Sequence, residues 1–233
     1  MIPWLESDSP FPPLQAAMRD PNGLLAAGGD LSVPRLLEAY RQGIFPWFGE
    51  GDPILWWSPD PRMVLAPEEL KVSRSLAKTL RNKPYEIRFD MAFDEVMAGC
   101  AQSRATQPGT WITAEMCEAY SRLHRLGHAH SVETWIDGEL AGGLYGVAIG
   151  AVFFGESMFS RARDASKIAL VALVRYCLAA GIRLIDCQMH TGHLASLGAR
   201  DIPRRQFSHR LAELIDYPRC PGPWMNASYR NTP

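Results

Sequence analysis

Asp137-Gly138 stands between residues 130–136 and 139–149, two stretches whose side chains alternate along the chain. Two residues between alternating runs leave room only for a tight hairpin, and Asp-Gly supplies the left-handed backbone such a turn needs. The middle of the chain is thereby committed to antiparallel sheet, and residues 151–154 read as a further strand. Asp164 is placed to cap a long apolar helix over 165–180, and Gly181 to end it. Residues 183–188 form a strand, and short helices lie near 194–197 and 204–215. Upstream, Ser73 caps a helix to about Asn82, residues 85–90 alternate as a strand, and 93–101 is helical. Thr113 caps a helix with Met116, Tyr120 and Leu123 on one face. A β-meander followed by helix, strand and helix is an α+β order.

The first sixty residues differ in character. Asp20-Pro21-Asn22-Gly23 and Gly28-Gly29-Asp30 are turns. Ser32, Pro34 and Gly43 frame a short helix carrying Leu36, Leu37 and Tyr40 on one side. Two aromatic, proline-rich stretches follow, 44–48 and 54–62, as rigid loops or short strands. A boundary near Arg62 divides a small N-terminal domain (1–62) from a larger one (63–233).

Composition narrows the function classes. With 47% hydrophobic and 21% charged residues the chain packs a core rather than staying disordered. Its formal charge of −1 means that any nucleic-acid-binding face must be local. Five cysteines without a C-x-x-C favour reduced thiols over a disulfide framework or zinc site. The longest apolar stretches, 140–154 and 168–180, are too short or too interrupted to span a membrane, and the N-terminus lacks a signal segment. A cytoplasmic protein is expected.

Four groups of residues could carry chemistry. On the strand 183–188, Asp186 and Gln188 share one face and Cys187 takes the other, with Ile185 and Met189. The carboxylate could hydrogen-bond and orient the amide, or both could merely meet solvent. Cys187 among apolar neighbours reads as a structural thiol rather than a nucleophile. Glu156 lies in Phe153-Phe154-Gly155-Glu156-Ser157-Met158-Phe159-Ser160, read as a loop that is either the lip of a pocket or a solvated turn. Trp47 and Trp111, each flanked by turn residues, could stack on a base or fill core. Arg74, Lys78 and Arg81 share a helix face, with Lys83 just beyond and no acid between them. That face suits phosphates or simply water. His190-x-x-His193 has no third ligand at metal spacing, so no metal is expected.

Taken together, these segments resemble the bacterial leucyl/phenylalanyl-tRNA–protein transferases. The matching blocks include Pro21-Asn22-Gly23-Leu24-Leu25, Gly43-Ile44-Phe45-Pro46-Trp47-Phe48, Trp56-Trp57-Ser58-Pro59-Asp60-Pro61-Arg62, Gly109-Thr110-Trp111-Ile112-Thr113, Gly155-Glu156-Ser157-Met158-Phe159-Ser160 and Ile185-Asp186-Cys187-Gln188. The resemblance runs from about Asp20 to Arg205. It implies a GNAT-like acyltransferase domain preceded by a small N-terminal domain. The implied activity moves Leu, Phe or Met from aminoacyl-tRNA to proteins beginning with Arg or Lys, which marks them for degradation. It implies a monomer with no cofactor. Asp186 and Gln188 then match the catalytic pair. Trp47 and Trp111 match positions near the terminal adenosine, and Glu156 an acidic residue near the reaction centre. Leu144, Phe153, Met158, Leu173 and Ile185 would line the pocket for the donated side chain. Arg74, Lys78, Arg81 and Lys83 are the candidate tRNA contacts. In this reading Gln188 holds the attacking amine and Asp186 orients its amide.

Two rivals are weighed against it. An acyl-CoA-dependent acetyltransferase would cradle pyrophosphate with a glycine-bearing turn before the long helix, and residues 160–166 contain no glycine. A non-catalytic tRNA- or peptide-binding module would have no need of Asp186 beside Gln188.

Overall fold

The computed structural model describes residues 2–104, 112–218, 224 and 229–231. The expected α+β order is present. The predicted hairpin pairs β7 (Ala129–Ile136) with β8 (Glu139–Ile149) around Asp137 and Gly138, both at positive φ. These strands sit inside an eight-stranded sheet. Its other members are β5 (Arg62–Leu65), β6 (Tyr85–Phe89), β9 (Val152–Ser160), β10 (Leu184–Gln188), β11 (Arg200–Ile202) and β12 (Tyr229–Asn231). The spatial order is β11-β5-β10-β9-β8-β7-β6-β12. All pairs are antiparallel except β9 with β10. A parallel pair needs a crossover, and the long apolar helix α5 (Ala165–Ala180) provides it.

Before Arg62 the chain builds a second, four-stranded sheet in the order β1-β2-β4-β3, from β1 (Trp4–Leu5), β2 (Leu24–Gly28), β3 (Phe45–Pro46) and β4 (Leu55–Trp57). The helix α1 (Val33–Arg41) packs beside it. Four helices, α2 (Arg74–Asn82), α3 (Phe93–Arg104), α4 (Ala114–Arg125) and α5, flank the large sheet. Two more, α6 (Gly192–Ser196) and α7 (Arg204–Leu214), follow β10. No helix among the described residues is long and apolar enough to cross a membrane.

Strand alternation sorts the core into two halves. Met63, Leu144, Phe153 and Ile185 face α5 with Leu170 and Leu173. Val64, Tyr145, Phe154 and Leu184 face α3, α4 and the N-terminal sheet, so the segment before Arg62 shares one continuous core with the larger sheet. Capping follows expectation at Ser73 and Thr113, whose side chains accept from Leu76 N and Met116 N. Asp164 stands at the start of α5 but makes no cap bond. It accepts instead from Thr79 Oγ1 at 3.1 Å and Lys167 Nζ at 3.2 Å, which ties α2 to α5.

The segment read as a loop, Gly155 to Ser160, continues strand β9 instead. Its glycine and polar residues mark a bulge rather than a strand end. Gly155 pairs with Gly146 and Ser157 with Tyr145, so Glu156 is the extra residue. Gly146 makes this possible. A Cβ there would collide with the Phe154 carbonyl oxygen and stand 2.6 Å from the Phe153 ring. Gly146→Ala should therefore cost about 1–3 kcal/mol of stability, read as a lower urea midpoint. An unchanged midpoint would show that the bulge can be built without a glycine opposite it.

Candidate active site

The parallel register of β9 and β10 runs Leu184–Val152, Ile185–Phe153, Asp186–Phe154 and stops there. Past that point both strands depart from regular pairing. Glu156 bulges from β9, and on β10 the register against β5 jumps from Asp186 to Gln188, with Gln188 at φ 61°. Two bulges at the end of a parallel pair open the sheet, and a cleft of about 350 Å³ fills the opening.

One end of the cleft is apolar. Leu144, Phe153, Met158, Leu173 and Ile185 all line it, as expected, and α5 adds Leu170. The other end is bounded by Phe45, Pro46 and Trp47 of the N-terminal sheet and by Glu156 and Gln188. Trp47 is partly exposed there, edge-on to Trp57 at 5.3 Å, and its carbonyl accepts from Trp57 Nε1 at 2.6 Å. Trp111 lies outside the described residues. Arg74, Lys78, Arg81 and Lys83 are exposed on and just after α2, apart from the cleft lining. The Thr79–Asp164 bond holds that helix beside α5, whose leucines line the cleft.

The expected Asp186–Gln188 side-chain bond is replaced by two others, because the bulge turns Gln188 away from strict alternation. Asp186 is fully buried and forms a bidentate pair with the equally buried Arg62, Nε to Oδ1 at 2.8 Å and Nη2 to Oδ2 at 2.6 Å. It also accepts the Gln188 backbone N–H at 2.9 Å. It orients Gln188 through the main chain. The Gln188 side-chain Nε2 donates to Glu156 Oε1 at 2.9 Å. Cys187 does share a face with Ile185 and Met189, and all three border the cleft. Burial pushes the Cys187 thiol up, so it stays protonated, in keeping with a structural role.

Glu156 has further partners. Tyr40 of α1 donates to Oε1 at 2.7 Å, and Tyr120 of α4 to Oε2 at 3.2 Å. Desolvation is the dominant influence and raises its pKa to about 7, against the lowering effect of these donors. A carboxyl poised near neutrality in a cleft is a functional-site signature.

Three partners were missed in the sequence. Tyr40 and Tyr120 read as apolar helix faces, which they are, yet a buried phenol still needs a polar partner. Arg62 read as a domain boundary. In the fold it is clasped between Phe45 and Phe207, 4.9 and 4.6 Å from the ring centroids, with Nη1 on the Gly43 carbonyl at 3.1 Å. One side chain thereby joins the N-terminal sheet, α7 and β10. The available signal was an arginine closing a proline-rich aromatic block.

Comparison with known proteins adds identity to this geometry. Residues 64–212 match the family model described as leucyl/phenylalanyl-tRNA protein transferase, and residues 29–60 match the model for that family's N-terminal domain. A leucyl/phenylalanyl-tRNA–protein transferase of Chromobacterium violaceum is 65% identical over 224 residues, covering 96% of each chain. One from Nitrosospira multiformis is 68% identical over 217 residues, covering 93% of this chain and 94% of that one. Among solved structures, the aminoglycoside N-acetyltransferase AAC(6')-Iy matches 58% of this chain and 89% of its own, with a TM-score of 0.34 at 16% identity.

Proposed function

Because the chain belongs to the leucyl/phenylalanyl-tRNA–protein transferase family, we propose that it moves leucine or phenylalanine, and also methionine, from aminoacyl-tRNA onto proteins that begin with Arg or Lys, and that the cleft between β9 and β10 is where it does so. The observation that carries this reading is the Gln188 Nε2–Glu156 Oε1 bond, set at the junction of an apolar cleft and a carboxyl.

The aminoacyl ester is already activated, so transfer to an amine needs alignment rather than a further energy source. The apolar end, from Leu144 to Ile185, accepts the donated side chain. Trp47 at the mouth offers a face to the terminal adenosine. With its Nε2 held by Glu156, the Gln188 amide turns its carbonyl oxygen away from that carboxyl, where it can accept from the attacking amine. An α-amine has a reference pKa of about 7.7–8.0, so a usable fraction is neutral near pH 7. The amine nitrogen bonds to the ester carbonyl carbon, the ribose oxygen leaves, and the amine's proton ends on that oxygen. Asp186, fixed by Arg62, holds the Gln188 backbone in its left-handed conformation. Glu156 supplies the charge partner that a cationic N-terminus needs in a partly buried site.

Two experiments probe this assignment. The first compares kcat/KM for peptides beginning with Arg, Lys and Ala, all with leucyl-tRNA as donor. Glu156→Gln should lower the Arg- and Lys-starting values about tenfold or more. A larger loss for these than for Ala places the basic side chain on Glu156, and an equal loss for all three places the α-amine there. No change for any peptide removes Glu156 from the site.

The second concerns tRNA. Replacing Arg74, Lys78 and Arg81 with glutamate should raise the KM for aminoacyl-tRNA and flatten its salt dependence, leaving kcat little altered. A salt slope equal to that of the wild type would mean that this helix face meets only water.

A further inference from the structure

We propose that Tyr40 and Tyr120 are positioning residues for the transfer: a pair of phenols that turns both O–H groups onto the Glu156 carboxylate when a cationic acceptor arrives and so steadies its ionised form against burial. The proposal rests on the reading of Glu156 as the acceptor's charge partner.

Counting protons leads to it. The Tyr40 hydroxyl touches Glu156 Oε1, the Tyr120 hydroxyl touches Oε2, and the two phenols hydrogen-bond to each other. Three oxygen-bearing groups thus make a closed triangle of three contacts. Each contact needs one hydrogen, and two phenols supply two. A neutral Glu156 supplies the third. Gln188 Nε2 already donates to Oε1, so the acid hydrogen belongs on Oε2. In that neutral state the Tyr120–Oε2 bond reverses its direction, and the ring runs from Oε2–H to Tyr120, from Tyr120 to Tyr40, and from Tyr40 to Oε1. With Glu156 ionised, one contact must lose its hydrogen. Water cannot replace it readily, because Tyr40 and Tyr120 are fully buried and Glu156 nearly so.

The surroundings point the same way. Tyr145 of β8 adds a buried phenol without a hydrogen-bond partner among the described residues. Asp186 on β10 raises the pKa of Glu156, although Arg62 of β5 neutralises that carboxylate, and the Cys187 thiol stays protonated. His193 of α6 also borders the cleft, with its pKa lowered chiefly by burial. Among the described residues no lysine or arginine lines the cleft. A cation entering it therefore meets Glu156 as its natural partner. On arrival the Oε2–H bond breaks, the proton leaves through the cleft mouth to solvent, and both phenols donate to the carboxylate. Charge-assisted bonds are roughly twice as strong as neutral ones, so the phenols favour the ionised form once a cation is present. Tyr40 belongs to α1, so the N-terminal segment supplies part of this control.

The test is proton release on binding an Arg-starting peptide without aminoacyl-tRNA, so that no transfer occurs. Calorimetry in two buffers of different ionisation enthalpy counts the protons across a pH series. The wild type should release a fraction of a proton that is greatest below pH 7 and fades above it, and Glu156→Gln should release none through this group. In Tyr40→Phe and in Tyr120→Phe the pH of half-maximal release should rise by about 1 unit, since each loses one donor to the carboxylate. The infrared carboxyl stretch, assigned by its loss in Glu156→Gln, should titrate with the same shift. If Glu156→Gln releases protons as the wild type does, the reading of Glu156 itself fails. If that variant behaves as expected while both phenylalanine variants titrate like the wild type, the phenols only fill space and the proposal falls. Should one phenylalanine variant not fold, the other decides alone.

Discussion

Arg62→Met should lower the unfolding free energy by about 3–5 kcal/mol, the usual cost of stranding one member of a buried ion pair. Both partners are fully shielded from water, and the guanidinium grips the carboxylate with two bonds. Removing it leaves the Asp186 carboxylate in the interior with the Gln188 N–H. It also releases the Gly43 carbonyl and the contacts with Phe45 and Phe207. Lysine at this position keeps the charge but not the planar fork, so Arg62→Lys should also destabilise, by less. The double variant Arg62→Met, Asp186→Leu should lose less than Arg62→Met alone, because an apolar pair leaves no buried charge behind. Urea unfolding at neutral pH reads all three. A loss below about 1 kcal/mol in Arg62→Met, within the range of exposed pairs, would mean that the pair does not hold the N-terminal sheet to β10. Asp186→Ala strands Arg62 in the same way, so its turnover reports folding as well as chemistry. Asp186→Asn, which keeps the shape, is the better kinetic probe.

Much of the scaffold was legible because its signals are local. The Asp137-Gly138 hairpin, the caps at Ser73 and Thr113, and the apolar run of α5 each depend on residues within one turn or one strand of each other. The lining residues Leu144, Phe153, Met158, Leu173 and Ile185 came from the family resemblance, and the cleft brings all five together. Glu156 was singled out, but on a loop, since nothing local distinguishes a strand end from a bulge paired across Gly146. The Asp186–Gln188 pairing was misjudged for a related reason. Strict alternation puts the two side chains together, and the positive φ at Gln188 separates them. Arg62, Tyr40 and Tyr120 were illegible as site residues because their partners lie 124, 116 and 36 residues away in sequence. Buried polar groups find partners through the tertiary fold, which periodicity does not report.

Gln188→Ala is the second change with a large expected effect, and it bears on the central claim that transfer occurs where Gln188 meets Glu156. Among the described residues the hydrogen bond of this side chain goes to Glu156 and not to the scaffold around it, so folding should be nearly unaffected. Turnover should not be. Losing the group that holds the attacking amine in line costs on the order of 100-fold in rate. The KM for aminoacyl-tRNA should stay close to the wild-type value, because the apolar end of the cleft and the α2 cations are intact. The direct measurement follows labelled leucine from leucyl-tRNA into a peptide beginning with arginine, for wild type and Gln188→Ala at matched, saturating donor. Label in the peptide for the wild type, with a loss of about 100-fold in kcat for the variant, is the predicted result. Turnover near the wild-type rate in Gln188→Ala would contradict the account and place the chemistry elsewhere.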